Sequence, residues 1–159
     1  MKILVVDDEP LNLELLSEML SEAGYTRVQT VRDSRLALAA CAEFEPDIVL
    51  LDWMMPHVSG REILEALRAD AADVFLPVIV LTADSNEETK RAALQAGASD
   101  FLLKPLDVLE VPLRIANLLE TRRAHLQLDL QCAAYEEALR GCGLELRVAQ
   151  AELAAAQLR

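Results

Sequence analysis

Cysteine is scarce in this chain and poorly placed for a framework role. Cys41, Cys132 and Cys142 lie far apart, form no CxxC pair and are odd in number, which argues against a disulfide scaffold. Cys41 is expected to pack as a small apolar side chain. Long apolar runs are also missing, and none approaches the roughly 18 residues of a membrane span. The opening MKILVVDDEP holds too short an apolar stretch for a secretory signal and runs straight into acids. A cytoplasmic protein with no membrane partner is therefore expected. Bases are in deficit as well. Residues 1–120 hold 22 acids against 10 bases, residues 121–159 hold five of each, and the first segment carries the whole net charge of −12. Such a body cannot neutralise phosphates, so direct nucleic-acid binding is not expected. A cation or a basic partner suits it better. No Gly/Ser-rich or Pro-rich linker divides the chain.

What is present is apolar and periodic. With 159 residues and a hydrophobic fraction of 53%, the chain can bury a core of its own and fits one domain with an appendage. Four nearly continuous apolar runs, Ile3–Val6, Ile48–Leu51, Val78–Leu81 and Phe101–Leu103, read as strands buried on both faces of a parallel sheet. A fifth, Val28–Val31, is interrupted by Gln29 and Thr30 and reads as an edge. Helical segments separate them. Leu11, Leu15, Met19 and Leu20 mark a face of the first, with Pro10 at its opening turn. Asp33 is placed to cap the second, which carries Leu38, Cys41 and Phe44. Ser59-x-x-Glu62, Ser85-x-x-Glu88 and Asp107-x-x-Glu110 have the form of capping boxes, and Gly24 and Gly97 stand where helices should stop. Strand–helix alternation repeated five times implies a parallel sheet between helical layers. From Leu128 a different pattern takes over. Leu128, Cys132, Tyr135, Leu139, Cys142, Leu146, Ala149, Leu153 and Ala156 recur in unbroken four-three steps, the signature of a coiled-coil seam. Gly141 and Gly143 weaken that helix by about 1 kcal/mol each and mark a place for a kink or break.

In an open α/β sheet, ligands bind beyond the carboxyl ends of the strands. Those ends deliver Asp7 and Asp8, Asp52, Thr82 and Lys104. Three crowded carboxylates repel one another, and one would be driven to protonate. A hard divalent cation relieves the conflict, and oxygen-only ligands point to Mg²⁺. Lys104 offers charge for phosphate oxygens, Thr82 offers a hydroxyl, and an aspartate can itself become a phosphoryl acceptor.

The motifs VVDDEP at 5–10, LLDWMMPHVSG at 50–60, VLTA at 80–83 and GASDFLLKP at 97–105 resemble the receiver domain of two-component response regulators. The likeness spans about residues 1–120. It implies a flavodoxin-like (CheY-like) five-stranded parallel sheet in the doubly wound order 2-1-3-4-5. A helical coiled-coil linker over 121–159 would lead into an output domain beyond Arg159. The resemblance makes Asp52 the phosphoacceptor. Asp8, Asp52 and the Met54 backbone carbonyl would be direct Mg²⁺ ligands, with Asp7 acting largely through a metal-bound water. Lys104 would pair with the phosphoryl group, Thr82 and Phe101 would be the switch residues, and the Lys104–Pro105 bond would be cis. It names a histidine kinase or histidine phosphotransfer protein as donor. In this family the face of the fourth helix, fifth strand and fifth helix commonly changes on phosphorylation, and Lys90, Arg91, Asp100 and Arg114 fall there, where they could form cross-subunit ion pairs. The heptad tail is the stronger signal, and a homodimer through that face, the C-terminal helix, or both is expected. Met54 and Asp84 flank the expected path of attacking water, and Trp53 lies beside the acceptor. The resemblance implies a signalling switch rather than an enzyme. The alternative is a Mg²⁺-dependent phosphatase of the haloacid dehalogenase type, which needs a second acid two residues after its nucleophile, where this chain has Met54.

Overall fold

A computed structural model describes residues 1–69 and 75–157, with side chains as far as residue 141. The chain divides into two units, Met1–Arg122 and Arg123–Arg159. In order, the elements are β1 (Ile3–Val6), α1 (Pro10–Glu22), β2 (Val28–Val31), a 3-10 turn (Ser34–Leu36), α2 (Ala37–Phe44), β3 (Ile48–Asp52), α3 (Gly60–Ala69), β4 (Val78–Thr82), α4 (Glu87–Gln95), β5 (Asp100–Leu103) and α5 (Glu110–Gln157). The strands form one parallel sheet in the order β2-β1-β3-β4-β5, the flavodoxin-like arrangement that the motifs implied.

The strand sequences explain why the sheet is buried on both faces. Successive side chains point to opposite sides. Leu4, Val6, Val49, Leu51, Val78 and Val80 join one core with residues of α2 and α3. Ile3, Val5, Ile48, Leu50, Ile79 and Leu81 join another with Leu16, Met19 and Leu20 of α1 and Val111, Ile115 and Leu119 of α5. Burying each such side chain stabilises the fold by about 1.5–3 kcal/mol. Only a sheet covered twice can use runs that are apolar at every position.

Several local expectations shift. β5 is an edge strand, and only Leu102 of its four residues is buried; the apolar run Phe101–Leu103 therefore does not reflect burial on both faces. On α1 the buried set is Leu16, Met19 and Leu20, whereas Leu11 is 76% exposed. Five residues separate Leu11 from Leu16, which turns it about 140° away from the sheet. Leu38 is likewise exposed, and α2 buries Ala37, Ala40 and Cys41 instead.

Of the three capping boxes, Ser59–Glu62 forms in full. Ser59 N donates to Glu62 Oε2 at 2.9 Å and Glu62 N donates to Ser59 Oγ at 3.3 Å. Asp107 accepts from the amides of Leu109 and Glu110 at 2.8 and 2.9 Å, while the Glu110 carboxylate turns to Arg114. At α4 the cap is Asn86, which accepts from Glu88 N, rather than Ser85. Asp33 caps the 3-10 turn through Arg35 N. Gly24 and Gly97 follow α1 and α4 with φ of 87° and 98°, the left-handed geometry that ends a helix.

In the second unit α5 runs without interruption through Gly141 and Gly143 to Gln157. Leu128, Tyr135 and Leu139 are exposed there at 56%, 71% and 73%, and Cys132 is exposed too. The side chains of Cys142, Leu146, Ala149, Leu153 and Ala156 lie outside the described residues.

Candidate functional site at the carboxyl edge of the sheet

Parallel pairing carries the ends of β1, β3, β4 and β5 to one edge. Asp52 pairs with Leu81 and Thr82 with Leu103 in the last rungs, and Asp7 and Lys104 follow β1 and β5 directly. Side-chain oxygens of Asp7, Asp8 and Asp52 all lie within 4.8 Å of one another. Asp7 and Asp52 are buried and Asp8 is half-exposed. The Lys104 ammonium closes the cluster, donating to Asp7 Oδ2 at 2.8 Å and to Asp52 Oδ1 at 2.7 Å. The peptide bond between Lys104 and Pro105 is cis.

The electrostatics follow from that crowding. Burial pushes the Asp52 carboxyl above its ordinary range. The Lys104 bond opposes the rise, while the neighbouring charges of Asp7 and Asp8 add to it. Burial alone would lower the Lys104 ammonium, but its bonds to Asp52 and Asp7 outweigh burial and hold it above the usual value. The donor set is all oxygen, anionic and incompletely neutralised by one lysine. Those properties fit a hard divalent cation.

Thr82 is buried at the end of β4. Its Oγ1 accepts from Asp84 N at 3.1 Å, and Asp84 in turn accepts from the Thr89 hydroxyl at 2.6 Å. Met54 is 75% exposed, whereas Trp53 packs into the core. Phe101 is half-buried on β5, with the Lys90 ammonium 5.3 Å from its ring centroid. Lys90, Asp100 and Arg114 have partners within the chain. Arg114 bonds Asp100 at 2.7 Å and also Glu110, and Lys90 lies 3.6 Å from Glu87. Glu110 stands one helical turn before Arg114, near enough to engage it without a second copy.

Two residues of this region, Asn12 and Ser34, lie outside the motifs, and the role of a third, Gly60, is not announced by the motif LLDWMMPHVSG that it ends. Asn12 donates to both oxygens of Asp7 at 3.0 and 3.1 Å, fixing the most buried acid from the first turn of α1. Its sequence signal is an amide five residues after an acid on a helix that starts at Pro10. Gly60 opens α3 where a Cβ would overlap the Asp52 carbonyl oxygen and stand 2.9 Å from Trp53 Cα. Only glycine lets α3 begin that close to β3. Ser34 donates to the Pro56 carbonyl at 2.6 Å and accepts from Val58 N at 3.2 Å, and nothing in its sequence context announces this.

A sheet of this order, with acids at the ends of β1 and β3 and a lysine at the end of β5, places an anionic oxygen cluster bridged by one ammonium at a single edge, the arrangement of an α/β receiver module. The response regulator receiver domain family model matches residues 3–116, and the chain belongs to that family. It is 37% identical over 117 residues to the phosphate regulon transcriptional regulatory protein PhoB of Pseudomonas aeruginosa, covering 74% of this chain and 51% of that one. To the response regulator PleD of Caulobacter vibrioides it is 40% identical over 117 residues, covering 74% and 26%. The chemotaxis protein CheY4 of Vibrio cholerae superimposes with a TM-score of 0.68 at 31% identity, over 74% of this chain and 97% of that structure. The chain thus spans about half, or less, of the curated relatives it matches. Its role is phosphorylation-dependent signalling within two-component systems. Among the described residues no helix is long and apolar enough to cross a membrane.

Proposed function

We propose that Asp52 is the phosphoacceptor of a two-component switch. The observation that carries this reading is Lys104 bridging Asp52 and Asp7 inside a cluster of three carboxylates. An oxygen of Asp52 forms the new O–P bond while the P–N bond of a phosphohistidine breaks and its imidazole leaves. The donor is a histidine kinase or a histidine phosphotransfer protein. Asp7, Asp8, Asp52 and the Met54 carbonyl would hold Mg²⁺, which supplies charge neutralisation for the phosphoryl oxygens. Lys104 steadies the phosphoryl group once Asp52 is esterified, and Asn12 keeps Asp7 aimed at the cluster. Thr82 supplies a hydroxyl to the phosphoryl group after giving up its bond from Asp84 N, and Phe101 turns inward as Thr82 moves.

The reading extends to output. The α4–β5–α5 face and the tail seam pass the change to an output domain, and both are surfaces for a homodimer. The body spans residues 1–120 and the linker 121–159. The protein acts in the cytoplasm and turns over no substrate besides its own phosphoryl group. Met54 supplies no acid where a haloacid dehalogenase phosphatase needs its second one, which leaves that alternative without support.

The test is adduct formation with acetyl phosphate or beryllofluoride in the presence of Mg²⁺, read by intact mass and by calorimetry. One adduct per chain is expected, and none in Asp52→Asn. An adduct that persists in Asp52→Asn would place the acceptor elsewhere.

A further inference from the structure

The loop between Asp52 and α3 is held at both ends by backbone bonds. Trp53 N donates to Leu81 O at 2.9 Å, and Gly60 N donates to Trp53 O at 3.2 Å. Between them the chain makes a tight turn. Val58 N reaches Pro56 O at 2.9 Å, and His57 has φ of 71°, a left-handed conformation uncommon for residues with a side chain, though histidine adopts it more readily than most. Among the described residues, the hydrogen bonds that reach this turn from outside the loop are those of Ser34. Its hydroxyl donates to Pro56 O at 2.6 Å and accepts from Val58 N at 3.2 Å, gripping the residues on both sides of His57. Ser34 is only 3% exposed, and it belongs to a 3-10 turn that is itself fixed by the Asp33 carboxylate on Arg35 N. A buried hydroxyl satisfied twice is expensive to move.

We infer that Ser34 is a positioning residue for the cation site. By locking the His57 turn it sets the path of residues 53–56 and so fixes where the Met54 carbonyl stands relative to Asp52. The inference rests on the proposed role of that carbonyl as a ligand. Ser34 touches neither cation nor phosphoryl group. It acts on Met54 through the backbone of residues 55 and 56, so the loss is expected at the low end of the about 10- to 100-fold seen when a group bonded directly to a ligand is removed.

The test uses the full chain, with Mg²⁺ titrated by the fluorescence of Trp53, the one tryptophan, and by calorimetry. Ser34→Ala should bind Mg²⁺ about tenfold more weakly. Excess Mg²⁺ should restore its beryllofluoride uptake to the wild-type level, and Ser34→Thr, which keeps the hydroxyl, should recover most of the affinity. Should Ser34→Ala fail to fold, Ser34→Gly carries the same comparison. A hydroxyl-free variant that binds Mg²⁺ within about twofold of wild type overturns the inference alone. So does a loss that excess Mg²⁺ cannot rescue, because general damage then explains it. A wild-type chain that takes up no Mg²⁺ overturns the site reading as well, so the two failures are told apart.

Discussion

The sheet domain and the helical tail are built from similar side chains and use them in opposite ways. In Met1–Arg122, leucines such as Leu4, Leu16, Leu50 and Leu64 are buried to within 1% of full burial. In the tail, Leu130, Tyr135 and Leu139 stand more than 70% exposed. An apolar residue stabilises only when something removes it from water. The sheet domain supplies its own cover, one helical layer for each face. The tail repeats its apolar positions in a regular stripe, and its described members Leu128, Cys132, Tyr135 and Leu139 are exposed. The difference separates residues that hold the fold together from residues left in water.

The sharpest way to test that contrast is to truncate one leucine in each region. Leu50→Ala should destabilise the sheet domain by about 2–5 kcal/mol, seen as an earlier midpoint in urea. Leu139→Ala should leave that midpoint in place and instead weaken self-association in analytical ultracentrifugation. A tail substitution that costs the sheet domain as much as Leu50→Ala would erase the distinction.

Charge offers a second and smaller contrast. The sheet domain buries Asp52 with its carboxyl raised above the ordinary value; among the described tail acids, Glu136 and Glu137 are exposed and Asp129 is half-buried. A raised carboxyl binds protons more tightly in the folded state, so this group costs stability above its folded value. The cost is relieved as pH falls from that value toward the ordinary one. Lys104 has the opposite effect at the other end of the scale. Its raised ammonium stabilises the fold below the ordinary lysine range, and that contribution is lost as pH rises through the raised value. Asp52→Asn should therefore melt at a higher temperature than wild type at neutral pH without Mg²⁺, with the gap closing in acid. Tail helicity, followed by circular dichroism on the same samples, should not track that change. A melting point lowered at neutral pH by Asp52→Asn would mean that the Lys104 bond outweighs the burial cost.

Much of this was legible in the sequence, for identifiable physical reasons. Strands buried on both faces write themselves as unbroken apolar runs, so β1, β3 and β4 could be read directly, and strand ends then placed Asp7, Asp8, Asp52, Thr82 and Lys104 at one edge. Helix faces were less legible. Leu11 and Leu15 fit a helical spacing as well as Leu16 does, and only the sheet's position decides which row is buried. β5 looked central because its composition is apolar, yet burial at an edge depends on what lies beyond it. Asn12 and Gly60 act on near neighbours in the chain, Asp7 and Asp52, and a single amide or glycine signals such a role only weakly. Ser34 bonds across 22 positions to Pro56, a partner that no local pattern announces.

The smallest predicted effect addresses such a misreading. Ser85-x-x-Glu88 has the form of a capping box, but Asn86 is the residue that bonds Glu88 N, while Asp84 accepts from both Asn86 N and the Thr89 hydroxyl. The Asp84 carboxyl is held below its usual range, chiefly by the Thr89 bond and then by Asn86 N, so the turn entering α4 is organised one residue later than the motif says. A nine-residue helix is too short to form without tertiary support and its cap. Asn86→Ala should therefore cost the sheet domain about 1 kcal/mol in urea unfolding, and Ser85→Ala should cost almost nothing. The reverse order would restore the motif and move the start of α4. Because Asp84 N also holds the Thr82 hydroxyl, the same pair of variants asks whether the entry to α4 and the switch residue at the end of β4 behave as one unit. If they do, Asn86→Ala, and not Ser85→Ala, also alters beryllofluoride affinity.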